Sequence, residues 1–327
     1  MEKILKIIII FIVSTIILIV GGGVVLLGIA NNKSENYWKY SEPNGEIEKK
    51  YTAHGPYDVS YVEFNADGTV WQKYEMWYPS EMKDTNATYP LVVMANGTGT
   101  KASQYKAIFK HLASWGFIVA GNEDENCRTG ESSAATLDFI LGLNRDKESI
   151  FYGKVDVGNI GITGHSQGGV GAINAVTEQE NGEKYKAIYA ISATSRYHAD
   201  ELNINGLGWS IDAAKINIPI MMVSGTEMFD AGNMSEYSET LPEGKAQGIC
   251  PLWWLNECYD SITNGVDKVI ARQTGKDHGD MLQSADGYMA AWFVYYLKGD
   301  IEAGKAFFGK DAEILFNENW QDIKVNP

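Results

Sequence analysis

The chain has 327 residues, 45% of them hydrophobic, and a formal net charge of −15. That length holds one large α/β domain with a substantial core and excludes a small disulfide-stapled module. The acidic balance, with no Lys/Arg run to offset it locally, repels phosphate backbones and anionic headgroups and so argues against nucleic acid as a partner.

Residues 1–31 read as a transmembrane anchor or signal segment. Lys3 and Lys6 precede an uncharged run over 7–30, which as a helix covers about 36 Å against a hydrocarbon core of about 30 Å. The lysines favour a cytoplasmic N-terminus with the remainder outside, so membrane contact is expected through this segment only. Small residues at Gly28 and Ala30 leave secretion after cleavage near Ala30 as the alternative. Residues 32–49 are polar and turn-rich, the composition of a linker, and the folded domain is expected over 50–327.

In that domain YDVSYVEF and VWQKYEMWYP alternate apolar and polar residues around Asn65 to Gly68, which predicts an antiparallel hairpin at a sheet edge. Short apolar runs then alternate with amphipathic segments, as a mostly parallel sheet flanked by helices requires. The predicted strands are LVVMA (91–95), FIVAG (117–121), NIGITG (159–164), AIYAIS (187–192), IPIMMVSG (218–225) and KVIARQ (268–273). Helices are predicted at SQYKAIFKHLASW, ESSAATLDFILGLN, GGVGAINAVTEQ and ADGYMAAWFVYYLKG. The link between the fourth parallel strand and IPIMMVSG, with Gly206, Gly208 and Trp209, is too short for a large cap domain. The longest excursion, 231–265, carries Trp253 and Trp254 and either borders a substrate pocket or packs onto its own domain.

Gly164-His165-Ser166-Gln167-Gly168 fits G-x-S-x-G, a weak signal alone in a chain with 34 glycines. Its setting strengthens it. A buried strand runs into the pentapeptide without a spacer and a helix follows, the strand-turn-helix context of a nucleophile elbow. A serine hydroxyl needs an imidazole to take its proton, and His278, in QTGKDHGDM after the last predicted strand, is the candidate base. His54, His111, His165 and His198 are less well placed. The acid should fall between serine and histidine in chain order. Asp230, after IPIMMVSG, is the choice, with Glu227 as the alternate. The oxyanion requires preorganised N–H donors, assigned to Gln167 and to Thr98 in NGTG, with Gly99 next.

Cys250 and Cys258 are spaced so that a small disulfide loop could close in an oxidising compartment, and Cys127 stands apart. No Cys/His cluster has zinc-ligand spacing, and the strand-to-helix turn lacks G-x-x-x-x-G-K, so no metal and no cofactor are expected.

With GHSQGG, NGTGTKASQYKAIFKHLASWGFIVA and DHGDMLQSADGYMAAWFVYYLKGD in this order, the sequence resembles the α/β-hydrolase superfamily. Within it the likeness is to cutinase-like and polyester-hydrolase-like serine esterases related to dienelactone hydrolases, over about residues 55–310. Dienelactone hydrolases proper use a cysteine nucleophile where this chain has Ser166. Asp230 lies five residues past Gly225, one more than the resemblance implies. The expectation is therefore an extracytoplasmic serine hydrolase cleaving carboxylic esters, small-molecule, lipid or polymer, through an acyl-enzyme. The alternatives are a non-catalytic surface binding domain on the same scaffold, or a peptidase or acyltransferase with the same triad.

Overall fold

A computed structural model of the protein describes residues 34–201 and 210–326. Its contacts divide the chain into two units, Met1–Tyr40 and Ser41–Pro327. The described part of the first includes a short helical turn, Tyr37–Lys39. The expected anchor over 1–31, and Gly206, Gly208 and Trp209, lie outside the described residues. No helix among the described residues is long and apolar enough to cross a membrane.

The second unit is built on nine strands: β1 (Val59–Asn65), β2 (Lys73–Pro79), β3 (Tyr89–Ala95), β4 (Ile118–Asn122), β5 (Val155–His165), β6 (Tyr185–Ile191), β7 (Ile220–Gly225), β8 (Lys268–Gln273) and β9 (Trp320–Val325). They form one sheet in the order β1-β2-β4-β3-β5-β6-β7-β8-β9. The six predicted apolar runs are the parallel strands, β3 to β8. Every residue of β3 is buried, because helices cover both faces and leave no polar side. The predicted hairpin is β1 and β2, paired antiparallel from Val59 opposite Pro79 to Asn65 opposite Lys73.

The longer helices are α1 (Glu46–Thr52), α2 (Lys106–Ser114), α3 (Glu131–Arg145), α4 (Gln167–Thr177), α5 (Leu252–Ser261) and α6 (Asp286–Lys298). Leu91, Val93 and Ala95 join Leu137 and Ile140 of α3, Ile173 of α4 and Leu255 of α5 in one apolar cluster. Val92 and Met94, which alternate to the other face, are equally buried. On that face α2 and α6 lie close over the sheet: a Cβ on Gly121 would collide with Phe109, and one on Gly161 with Phe293.

Two expectations need correction. The compact unit begins at Ser41, inside the stretch read as a linker. Its polar residues find partners within the fold instead of water: Glu48 is 2% exposed, and its carboxylate accepts from Trp320 Nε1 and Asn317 Nδ2, each at 2.8 Å. Burial raises the Glu48 pKa against those hydrogen bonds, which lower it. Trp320 begins β9, an edge strand antiparallel to β8 that the sequence reading did not include. The excursion over 231–265 likewise contains α5 and is not loop throughout.

A fully buried ion pair ties α2 to α6. His111 Nδ1 donates to Asp286 Oδ2 at 2.6 Å, with neither side chain exposed, and Nε2 donates to the Ala53 carbonyl at 3.0 Å. Donation from both nitrogens is the pattern of an imidazolium. Burial pulls the imidazole pKa down, but the Asp286 carboxylate and the backbone carbonyls outweigh it, and the net direction is up. A raised histidine pKa contributes stability in full below the ordinary value, and that contribution is lost as pH rises through the higher folded-state value. Asp286→Asn should cost about 3 kcal/mol in urea unfolding at pH 6, because it strands a buried cation. The cost should shrink at alkaline pH.

Candidate active site

The carboxyl ends of β3, β5, β7 and β8 carry the candidate residues, and the end of β6 carries a residue that supports them. β5 passes into α4 through Ser166 alone, which sits at φ 60° and ψ −123° as the helix N-cap residue. A non-glycine residue rarely holds a positive φ, and doing so stores strain. Two glycines make the bend: a Cβ on Gly164 would overlap the Gly168 carbonyl, and one on Gly168 would overlap the Ala95 carbonyl at the end of β3. The Ser166 N–H donates to the Ile191 carbonyl of β6 at 2.9 Å, which fixes the turn to the sheet.

Asp230 and His278 come together as the sequence reading expects. His278 Nδ1 donates to Asp230 Oδ1 at 3.0 Å, which leaves Nε2 as the ring's proton acceptor. Asp230 is wholly buried and His278 is 9% exposed. The other oxygen, Asp230 Oδ2, accepts from Ser192 Oγ at 2.7 Å and from the Gly225 N–H at 2.6 Å. Both oxygens of this buried carboxylate thus have donors, as burial of a polar group requires. The alternate acid, Glu227, is exposed and serves as N-cap of the short helix Met228–Ala231. That helical turn takes up the additional residue between Gly225 and the acid.

The two proposed oxyanion donors are neighbours, since Gln167 Nε2 donates to Thr98 Oγ1 at 3.1 Å. Among the described residues neither the Gln167 nor the Thr98 backbone N–H has a protein acceptor, whereas the Gly99 N–H is engaged by the Glu125 carbonyl at 3.1 Å. This favours Thr98 over Gly99. The N-terminus of α4 adds its partial positive charge at the same place.

His165 also belongs to the site, although the sequence reading ranked it low. Its ring lies 4.6 Å from that of His278, and Nε2 donates to the His278 carbonyl at 2.8 Å. Burial first and the neighbouring His278 second push its pKa down to about 4. It is therefore neutral near pH 7 and acts as a brace for the His278 backbone. His198 is tied to the Gly248 carbonyl at 3.1 Å, and His54 packs against His111, away from this site.

Cys127, Cys250 and Cys258 are buried free thiols. Burial raises the pKa of all three. The excursion after the acid packs on the domain: Trp254 Nε1 donates to the Ala193 carbonyl at 3.2 Å, and Arg196 lies 3.8 Å over the Tyr237 ring while pairing with Glu257 at 2.8 Å. Among the described residues no group of acidic, histidine or cysteine side chains could hold a metal ion.

A family model described as PETase, PET hydrolase-like, matches residues 34–202. The chain belongs to this PET hydrolase-like family. Bis(hydroxyethyl) terephthalate hydrolase from Streptomyces coelicolor is 30% identical over 133 residues, 37% of this chain and 39% of that protein. The chain thus spans well under half the length of this curated relative. The stretch matched to the PET hydrolase-like family contains Thr98, Ser166 and Gln167 and ends before Asp230 and His278. Those two rest on geometry.

Sequence reasoning missed the residues that hold the pair. Ser192, at φ 46°, supports Asp230. Asp277 joins the acid turn to the histidine turn: its Oδ1 accepts from the Asp230 and His278 N–H groups, each at 2.8 Å, and Oδ2 from the Phe229 N–H at 3.3 Å. Only its adjacency to His278 in the sequence hinted at this. Removing the carboxylate leaves three N–H groups, two of them partly buried, without their acceptor, so Asp277→Ala should destabilise the protein by about 1 kcal/mol. Matched urea unfolding of Glu227→Ala should show a change near zero.

Proposed function

We propose that the protein is a carboxylic ester hydrolase that works through Ser166, His278 and Asp230 by way of an acyl-enzyme. The observation that carries the reading is the buried Asp230 carboxylate on His278 Nδ1, beside an elbow that holds Ser166 at a strained positive φ. Membership of the PET hydrolase-like family supports ester chemistry. The terephthalate ester named for the relative makes a small aromatic diester the first substrate to test.

In the proposed reaction His278 Nε2 takes the proton of Ser166 Oγ as the oxygen bonds to the ester carbonyl carbon. Asp230 keeps the imidazole in the required tautomer and stabilises the imidazolium. The negative charge that develops on the carbonyl oxygen is received by the Gln167 and Thr98 N–H groups, which have no protein acceptor to give up. Collapse breaks the bond to the alcohol oxygen, and His278 returns the proton to that leaving group. Water then attacks the acyl-serine by the same path, releasing the carboxylic acid and regenerating Ser166.

The reading extends to location. The uncharged run over 7–30 behind Lys3 and Lys6 supports a single-pass anchor with the domain outside the cytoplasm, or a secreted domain after cleavage near Ala30. Protease added to intact cells should then digest an anchored domain.

Ser166→Ala should abolish hydrolysis of bis(hydroxyethyl) terephthalate and of p-nitrophenyl acyl esters while leaving the unfolding transition in place. Asp230→Asn should lower kcat by roughly 10⁴-fold, as expected when the imidazole loses its tautomer. Glu227→Gln should stay close to the parent. Ester turnover retained by Ser166→Ala would sink the reading.

A further inference from the structure

Phe229 is out of place by the usual logic of burial. It precedes the buried acid, yet its own side chain is 62% exposed. A single exposed aromatic residue needs no explanation in itself. This one is different in what it touches and in how firmly it is held. Its ring stands edge-on to the His278 imidazole, with centroids 5.5 Å apart and planes at 81°. Its backbone is pinned on both sides: the N–H donates to Asp277 Oδ2 at 3.3 Å, and the carbonyl accepts from the Ile249 N–H at 2.9 Å. The chain therefore presents a large apolar surface to solvent at the proposed base, from a backbone with little freedom to withdraw it.

The reaction itself says which part of a substrate would meet that surface. His278 Nε2 has to lie between Ser166 Oγ and the leaving oxygen, because it takes a proton from one and gives it to the other. The carbonyl oxygen turns away toward the Gln167 and Thr98 amides. A side chain packed against the imidazole therefore borders the path of the alcohol portion rather than the oxyanion. We infer that Phe229 is a specificity-determining residue that binds the alcohol portion of the ester and favours apolar, aromatic alcohols over small ones. This rests on the serine-hydrolase reading for its orientation. An edge-to-face aromatic contact and removal of apolar area from water would supply the preference.

The test compares benzyl acetate with methyl acetate, which share an acyl group, and p-nitrophenyl acetate with p-nitrophenyl valerate, which share an alcohol. In Phe229→Ala the benzyl-to-methyl ratio of kcat/KM should fall roughly ten-fold, mostly through KM. The valerate-to-acetate ratio should hold. Phe229→Leu, which keeps an apolar side chain, should restore part of the loss. An equal fall in kcat for all four esters would mean that Phe229 only braces His278, and would overturn the inference, as would a change that follows the acyl chain.

Binding of benzyl acetate to Ser166→Ala, with and without Phe229→Ala, is measured by ligand-observed NMR to separate the two readings. Binding that depends on Phe229 in a protein whose parent hydrolyses no ester would remove the hydrolase reading and leave an aromatic-group subsite. Turnover with no dependence on Phe229 would remove the subsite alone. Neither turnover nor Phe229-dependent binding would remove both.

Discussion

A carboxylate with no solvent contact organises the end of the sheet where the candidate site lies. A carboxylate buried there needs donors for both oxygens, and those of Asp230 come from three neighbouring strand ends. Ser192 follows β6, Gly225 ends β7 and His278 lies beyond β8. Satisfying one buried charge thus fixes the relative heights of three loops. Asp277 repeats the arrangement from the opposite direction, accepting N–H groups from the acid turn and from His278 itself. The imidazole is oriented because the chain on both sides of it is already committed to these bonds.

This order is maintained against strain. Ser166 and Ser192 both hold positive φ values at strand ends, conformations that each cost on the order of 1–3 kcal/mol. The strands behind them are buried on both faces, so the cost is offset by a core that cannot relax without exposing apolar surface. The neutral His165 belongs to the same design. A second cation beside His278 would oppose the imidazolium of the proposed reaction, and burial removes that charge while leaving a ring that braces the loop.

Among the described residues two histidine–aspartate pairs share a similar local geometry, and their surroundings separate their roles. His111 and Asp286 are sealed between α2 and α6 with neither side chain exposed, and both ring nitrogens donate to fixed acceptors. With neither side chain in contact with solvent, the pair acts as a clamp. His278 keeps partial exposure and one nitrogen that no backbone carbonyl occupies, which is what proton transfer to a substrate requires. The same two residue types thus clamp two helices on one face of the sheet and form the pair proposed for proton transfer at its carboxyl end.

The strand and helix periodicities, the glycines of the elbow and the chain order of Ser166, Asp230 and His278 were legible in the sequence because each is a local pattern or a simple ordering. Apolar runs show where parallel strands lie, and a glycine-flanked serine between a strand and a helix has few ways to bend. Other features depended on partners far away in the chain. Glu48 reads as linker polarity until Trp320 and Asn317 are seen to hold it, and β9 is a short half-exposed strand that pairs with the open edge of β8. Ser192, Asp277 and Phe229 carry no motif, and their parts follow from which strand ends meet above the sheet. Local chemistry determined the elements and the candidate groups; only tertiary structure decided what surrounds them, because burial and charge pairing are properties of neighbours in space.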